Sequence, residues 1–172
     1  LIGILFNDLF ASMYSSLLSI GIGLIFTGTI LWLAERINAG TKTVSEMKFG
    51  HAFFVGVMQG IAICPGVSRS GSTLVGSLFS GLNREFGVKF AFLISIPSIL
   101  GSVILEAPAA FEQGADMSFV LPILTGVIVS AVSGLIAIKA MIKLVTGKRL
   151  WYFSIYTWIV GAAVVLYSIF GA

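Results

Sequence analysis

Nine consecutive residues hold almost everything in this 172-residue chain that could do chemistry: Pro65-Gly66-Val67-Ser68-Arg69-Ser70-Gly71-Ser72-Thr73. Arg69 supplies a guanidinium, a planar fork of donors whose geometry matches phosphate oxygens. Ser68, Ser70 and Thr73 place three hydroxyls around it, with Ser72 close by. Gly66 and Gly71 permit tight or positive-φ backbone, so successive N–H groups can turn toward one point. A helix beginning near Ser72 would bring the positive end of its dipole to the same place. The chemistry this combination suits is the binding of a phosphate or diphosphate oxygen. Taken singly, each hydroxyl reads first as a helix cap, and Arg69 could pair with backbone carbonyls. Their convergence is what argues for a site.

The other polar residues complete less of the picture. Gln59 lies in the apolar stretch before the motif, where it could reach the site or hydrogen-bond a neighbouring helix; both readings stand. His51, at the start of that stretch, reads as structural. Cys64 is the chain's single cysteine, which excludes an intrachain disulfide or a cysteine metal cluster and leaves a small packing residue. The seven carboxylates, Asp8, Glu35, Glu46, Glu85, Glu106, Glu112 and Asp116, all fall in expected loops or at segment ends. Hydrolysis of a phosphoanhydride generally recruits a metal held by carboxylates together with a base or nucleophile. No metal ligands are assigned here, so the motif reads as half of a site.

The elements that carry the motif follow from composition. The chain is 58% hydrophobic and only 10% charged, against about 25% charged residues in soluble domains. Its solvent is therefore lipid, and in lipid the backbone must pair internally, as a helix bundle or a closed barrel. Runs such as Phe90–Ile94 are apolar on every face, which excludes the alternation of barrel strands. The net charge of +3 needs no nucleic-acid partner, because the basic residues sit at segment ends. The expected architecture is a single all-α membrane domain over 1–172, multi-pass, with about four spans. These run over about Leu17–Ala34, Phe90–Leu105, Phe119–Val145 and Trp151–Phe170. Leu1–Phe6 reads as the tail of a helix whose beginning is missing, so a fragment is expected, and Asn7-Asp8 reads as an exit to the interface.

The stretch His51–Ile63 is too short to cross, since spanning takes about twenty residues, and it stops at Cys64-Pro65-Gly66. A second short helix is expected over about Ser72–Leu82. If the pair crossed once, the basic loops around 35–50 and 139–149 would fall on opposite sides. If it returns to its own face, nine of the ten basic residues share one side and the loop Glu106–Met117, which lacks Lys and Arg, lies on the other. The positive-inside rule selects the second arrangement: a re-entrant hairpin over about 51–83, entering from the cytoplasm. Gly56-x-x-x-Gly60, Gly76-x-x-x-Ser80 and Gly126-x-x-x-Ser130-x-x-x-Gly134 read as close-packing faces. Trp151, Tyr152, Tyr156 and Trp158 read as an interfacial belt.

The stretch from Gln59 to Thr73 resembles the PGxSRSGxT signature of the BacA/UppP-type undecaprenyl-diphosphatases. Phe90-Ala91-Phe92-Leu93-Ile94-Ser95-Ile96-Pro97, Gly3-Ile4-Leu5-Phe6 and Leu33-Ala34-Glu35-Arg36 fit the same family, so the likeness covers essentially the whole chain. The resemblance implies hydrolysis of undecaprenyl diphosphate to undecaprenyl phosphate in the bacterial inner membrane. That reaction recycles the carrier lipid for cell-wall synthesis and underlies bacitracin resistance. It also implies a divalent metal, magnesium or calcium, and two inverted repeats whose re-entrant tips meet. By position, Arg69 would clamp the diphosphate, with Ser68, Ser70 and Thr73 binding or orienting it and Gln59, Gly66, Gly71 and Ser72 lining it. The EGxxExxPxSSxGH-like motif of the other repeat is absent, so the chain reads as the C-terminal half of an inverted-repeat fold. A homodimer stands as an open arrangement. The rival function is half of a transporter or anion channel, since broken helices meeting at the midplane also build transporters.

Overall fold

The computed structural model describes residues 7–38, 40–112 and 120–171. The stub at Leu1–Phe6 and most of the second half of the loop expected at Glu106–Met117 lie outside them. The described chain is all helix apart from turns and one isolated bridge between Lys42 and Leu82. The helices are α1 (Asn7–Tyr14), α2 (Leu17–Arg36), α3 (Phe49–Ile61), α4 (Arg69–Phe79), α5 (Arg84–Glu112), α6 (Val120–Thr146) and α7 (Trp151–Phe170). Four of them, α2, α5, α6 and α7, are long and apolar enough to cross a membrane. The fold is that of an all-α polytopic membrane protein.

Three boundaries differ from the sequence reading. Asn7-Asp8 opens α1 rather than ending an element. Asn83 is not the end of the hairpin but the cap of the next span: its side chain accepts from Phe86 N–H at 2.7 Å, so α5 starts at Arg84 instead of Phe90. The same helix runs through Pro108 to Glu112, past the expected loop start at Glu106. A proline removes one donor without ending a helix whose neighbours hold it in register.

The two short helices α3 and α4 return to the same end of α2, and the hairpin's two ends are fixed to different levels of that helix. At the base, Lys42 N–H donates to Gly81 O and Asn83 N–H to Lys42 O. Arg84, buried beside them, donates through Nη2 to the carbonyls of Ala34, Glu35 and Ile37 at 3.1–3.4 Å. It thus caps the C-terminal end of α2, whose last carbonyls have no helical partner. Glu35 accepts from Leu150 N–H at 2.9 Å, which brings the start of α7 to the same face. The expectation that the basic loops share one side is met by this geometry.

At the tip, α3 and α4 are joined by a break at residues 62–68, and several of the freed backbone groups find partners on α1 and α2. Tyr14 of α1 donates to Ile63 O. The single hydroxyl of Thr27 donates to Gly66 O at 3.1 Å and accepts from Ser68 N–H at 3.0 Å. Thr27 stands midway along the 20-residue α2, roughly 14 Å from either end at 1.5 Å per residue. The break therefore sits at mid-membrane depth, where unpaired backbone is tolerated only if buried in protein.

Glycines make the approach possible. Gly66 has φ +78°, and a Cβ there would meet Ile20 O at 2.2 Å; a Cβ on Gly23 would meet Pro65 O at 2.1 Å. Gly21 and Gly28, on the other side of α2, lie against α7 at Val165 and Trp158. Trp158 donates to Thr29 at 3.2 Å, so it packs the α2–α7 seam. The small-residue stripes also divide. Gly76 lies against Met58 and Val55 between the hairpin helices, whereas Gly56, Gly126 and Gly134 have nothing within 4 Å of an added Cβ. These last three do not pack helices among the described residues.

Ala is the better helix former by about 1 kcal/mol, so Gly23→Ala should stabilise α2 unless the contact with Pro65 matters. The clash is with backbone, and overpacking costs about 1–3 kcal/mol. The expected outcome is a lower unfolding temperature in detergent for Gly23→Ala, while Gly101→Ala, at an open helical position, leaves it equal or higher. A Gly23→Ala protein as stable as the parent would refute the docking of the tip.

Candidate functional site

Helix α4 begins at Arg69, not near Ser72, and Ser68 is its N-cap: the Ser68 hydroxyl accepts from Gly71 N–H at 3.1 Å. That shift of three residues redistributes the motif's side chains, because successive helical residues point about 100° apart. Arg69 faces a cavity of about 620 Å³ between α3 and α5, lined also by Gly56, Gln59 and Gly60 on one wall and Pro97 and Ser98 on the other. Ser68 and Ser70 line a different cavity, about 460 Å³, behind the hairpin with Thr27, Leu31, Phe92 and Thr157. The guanidinium and the two serine hydroxyls are thus not brought together in one space.

Thr73 and Ser72 turn inward. Thr73 is fully buried and donates to the carbonyls of Arg69 and Ser70. Ser72 is fully buried with its hydroxyl unpartnered, and it is not the cap. Gly71 is buried, and its N–H is already given to Ser68. Gly66 serves the turn and the close approach to α2.

What remains at the Arg69 cavity is a compact set of open valences. Among the described residues the Arg69 guanidinium has no hydrogen-bond or ion-pair partner, and the Arg69 and Ser70 N–H groups at the start of α4 have no acceptor. These are orphan donors of a helix N-terminus, where the dipole favours an anion. Gln59 lines this cavity, but its Oε1 is buried away from it, without a donor among the described residues. The set is cationic and rich in donors at mid-membrane depth. It can bind an anionic headgroup and neutralise charge on it.

No three His, Cys, Asp or Glu side chains among the described residues form a group that could hold a metal ion. The described residues therefore do not by themselves supply a ligand set for a divalent metal. His51 lies at the hairpin base, where its Nδ1 accepts from Lys48 N–H, far from Arg69. Cys64 is a free thiol in the turn.

Sequence reasoning missed Thr27, Gly23 and Arg84, which hold the hairpin at tip and base, and Pro97 and Ser98, which wall the cavity. A signal for the first two was present in the spacing Gly21-x-Gly23-x-x-x-Thr27-Gly28, which puts small residues on two faces of one helix. Arg84 carried a signal only in its adjacency to the capping residue Asn83.

Comparison with known proteins places this geometry. The family model for the bacitracin resistance protein BacA matches residues 1–163. The chain belongs to the BacA family. An undecaprenyl-diphosphatase of Alkaliphilus metalliredigens is 48% identical over 169 residues, covering 98% of this chain and 62% of that protein. One from Carboxydothermus hydrogenoformans is 43% identical over 168 residues, covering 96% and 64%. A third, from Methanothermobacter thermautotrophicus, is 38% identical over 165 residues and is covered over 90% of its length. The chain spans about three-fifths of the length of the first two. The BacA-family motif around Arg69 is thus carried on the turn between α3 and α4, with the hydroxyls of Ser68 and Thr73 bonded to the backbone of α4.

The role of Ser68 can be separated from ligand binding. Replacing an N-cap serine by alanine costs about 1 kcal/mol, and threonine also caps. Ser68→Ala should lower stability in a detergent melt by that amount, and Ser68→Thr should recover most of it. An unchanged melt for Ser68→Ala would remove the cap from the account.

Proposed function

We propose that the intact protein hydrolyses undecaprenyl diphosphate, a polyprenyl diphosphate lipid, to the monophosphate and inorganic phosphate in the bacterial inner membrane. This chain supplies the side of the site that receives the diphosphate. One observation carries the reading: a guanidinium with no partner among the described residues, level with the middle of α2, beside the free N–H groups of a helix start, in a cavity otherwise lined by uncharged residues. A cation in that setting costs about 2.5–3.5 kcal/mol on insertion scales and is offset by an anion held against it. The names borne by the relatives support the choice of lipid.

In this reading Arg69 grips the diphosphate through its fork, and the Arg69 and Ser70 N–H groups bind a second oxygen. As the anhydride bond to the terminal phosphorus breaks, charge grows on the oxygens facing these donors, which are already in place and need no reorganisation. The nucleophile and the ligands of a divalent metal belong to parts of the intact protein beyond the described residues, and no step here passes through the metal.

Loss of one transition-state donor costs about 10²–10³ in turnover. Arg69→Ala in the intact protein is expected to reduce phosphate release from undecaprenyl diphosphate by at least that factor. Arg69→Lys should recover only part, because an ammonium lacks the fork. Normal turnover in Arg69→Ala, or anion flux through proteoliposomes without phosphate release, would replace the hydrolase by the transport alternative.

A further inference from the structure

The threonines of the described helices do not use their hydroxyls alike. Thr29, Thr73, Thr125, Thr146 and Thr157 each donate to the carbonyl four residues back in their own helix, the local bond open to a helical threonine. Thr27 does not. Its hydroxyl leaves α2 and meets the turn at both Gly66 O and Ser68 N–H. A hydroxyl gives one hydrogen and accepts another at the same atom, and branching at Cβ restricts its χ1. Thr27 is 1% exposed, so nothing packed against the outside of the bundle reaches these bonds.

What they hold is a run of peptide planes. The plane between Gly66 and Val67 is fixed at both ends, by Thr27 at Gly66 O and by Cys64 O at Val67 N–H. The next plane is fixed at Ser68 N–H, again by Thr27. The third is fixed at Ser68 O, which accepts from Ser72 N–H at 2.9 Å. Every described peptide is trans, and in a trans peptide N–H and C=O point opposite ways. Arg69 N–H is therefore aimed out of the helix start. Two of the three planes that lead to it hang on one oxygen atom of another helix.

We infer that Thr27 is a positioning residue for the reaction: it acts through Arg69, setting the direction of that residue's N–H and of the side chain on the same Cα. The inference rests on the hydrolase reading for what Arg69 meets, and on the two hydrogen bonds for how Arg69 is held. Thr27→Val keeps the shape and removes the polar atom, which leaves Gly66 O and Ser68 N–H without partners. The turn relieves that only by shifting, and a displacement of about 1 Å at a reacting group costs about 10²-fold in rate.

The test is a double-mutant cycle in the intact protein, with Thr27→Val made alone and together with Arg69→Ala. Both kcat/KM for phosphate release and Kd for undecaprenyl diphosphate are measured in detergent, per mole of protein that melts cooperatively. Thr27→Val is expected to lower kcat/KM by about tenfold to a hundredfold, and Thr27→Ser to recover most of the loss. In the Arg69→Ala background the cost should shrink to about a third or less, because the group being positioned is gone. Equal factors in both backgrounds overturn the assignment, since damage that is only structural multiplies both rates alike. An unchanged kcat/KM in Thr27→Val overturns it as well. Should Thr27→Val not fold, Thr27→Ala replaces it in the cycle, and failure of both to fold makes Thr27 structural only. If the parent binds the lipid and releases no phosphate, the hydrolase reading fails, and the same cycle read in Kd still decides the role of Thr27. A parent that neither binds nor hydrolyses the lipid removes the anion site and that role together.

Discussion

A broken helix inside a bilayer has to find partners for its backbone without water, and in this protein much of that burden falls on the side chain of Thr27. Its hydroxyl gives a hydrogen to Gly66 O and takes one from Ser68 N–H, so it closes the turn from both sides. Gly23, one helical turn earlier, lets the turn lie directly on α2. The position of Arg69 follows from these contacts. Ser68 is fixed by Thr27, Ser68 caps α4, and Arg69 is the first residue of that helix. A cation placed by this chain of bonds cannot slide toward the interface by moving its backbone.

The base of the hairpin is held by a different kind of contact. Arg84 gives Nη2 to three carbonyls at the end of α2, while its Nε and Nη1 are buried without partners. Leaving buried donors unmade costs about 1–3 kcal/mol for each group, so the residue is held there by what it caps. The tip is therefore tethered by neutral hydrogen bonds in the middle of the membrane and the base by a charged group near its edge. Between the two the hairpin interior is small and tightly filled, with Gly76 against Met58 and Ser77 hydrogen-bonded to Thr73 O.

The spans and the returning hairpin were legible in the sequence, because hydropathy and the distribution of lysine and arginine are read directly by the membrane. The break at Pro65-Gly66 was equally plain. The assignment of side chains to faces was not. Placing the start of α4 at Ser72 rather than Arg69 rotates every inference about which hydroxyl meets which ligand by almost a full turn. The sequence could not decide between Ser68, Ser70 and Ser72 as the cap, since each is a good one. The glycine stripes divide for a related reason: a small residue permits close approach without requiring it. Gly76 has a neighbouring helix, Gly56 has none, and the two look alike in one dimension. Arg84 was counted with the orienting charges because burial of a long cation depends on carbonyls fifty residues away.

The seam between α2 and α7 joins nearly the first described helix to the last. Gly21 meets Val165, Gly28 meets Trp158, and Glu35 waits for Leu150 N–H, 115 positions downstream. A ribosome adding about 5–20 residues per second delivers that partner on the order of ten seconds after Glu35. Throughout the interval the glycine face of α2 stands bare while the hairpin and two further spans emerge. Assembly is thus ordered in time: the half of α2 that receives the re-entrant tip is served first, and the half that seals the bundle is served last.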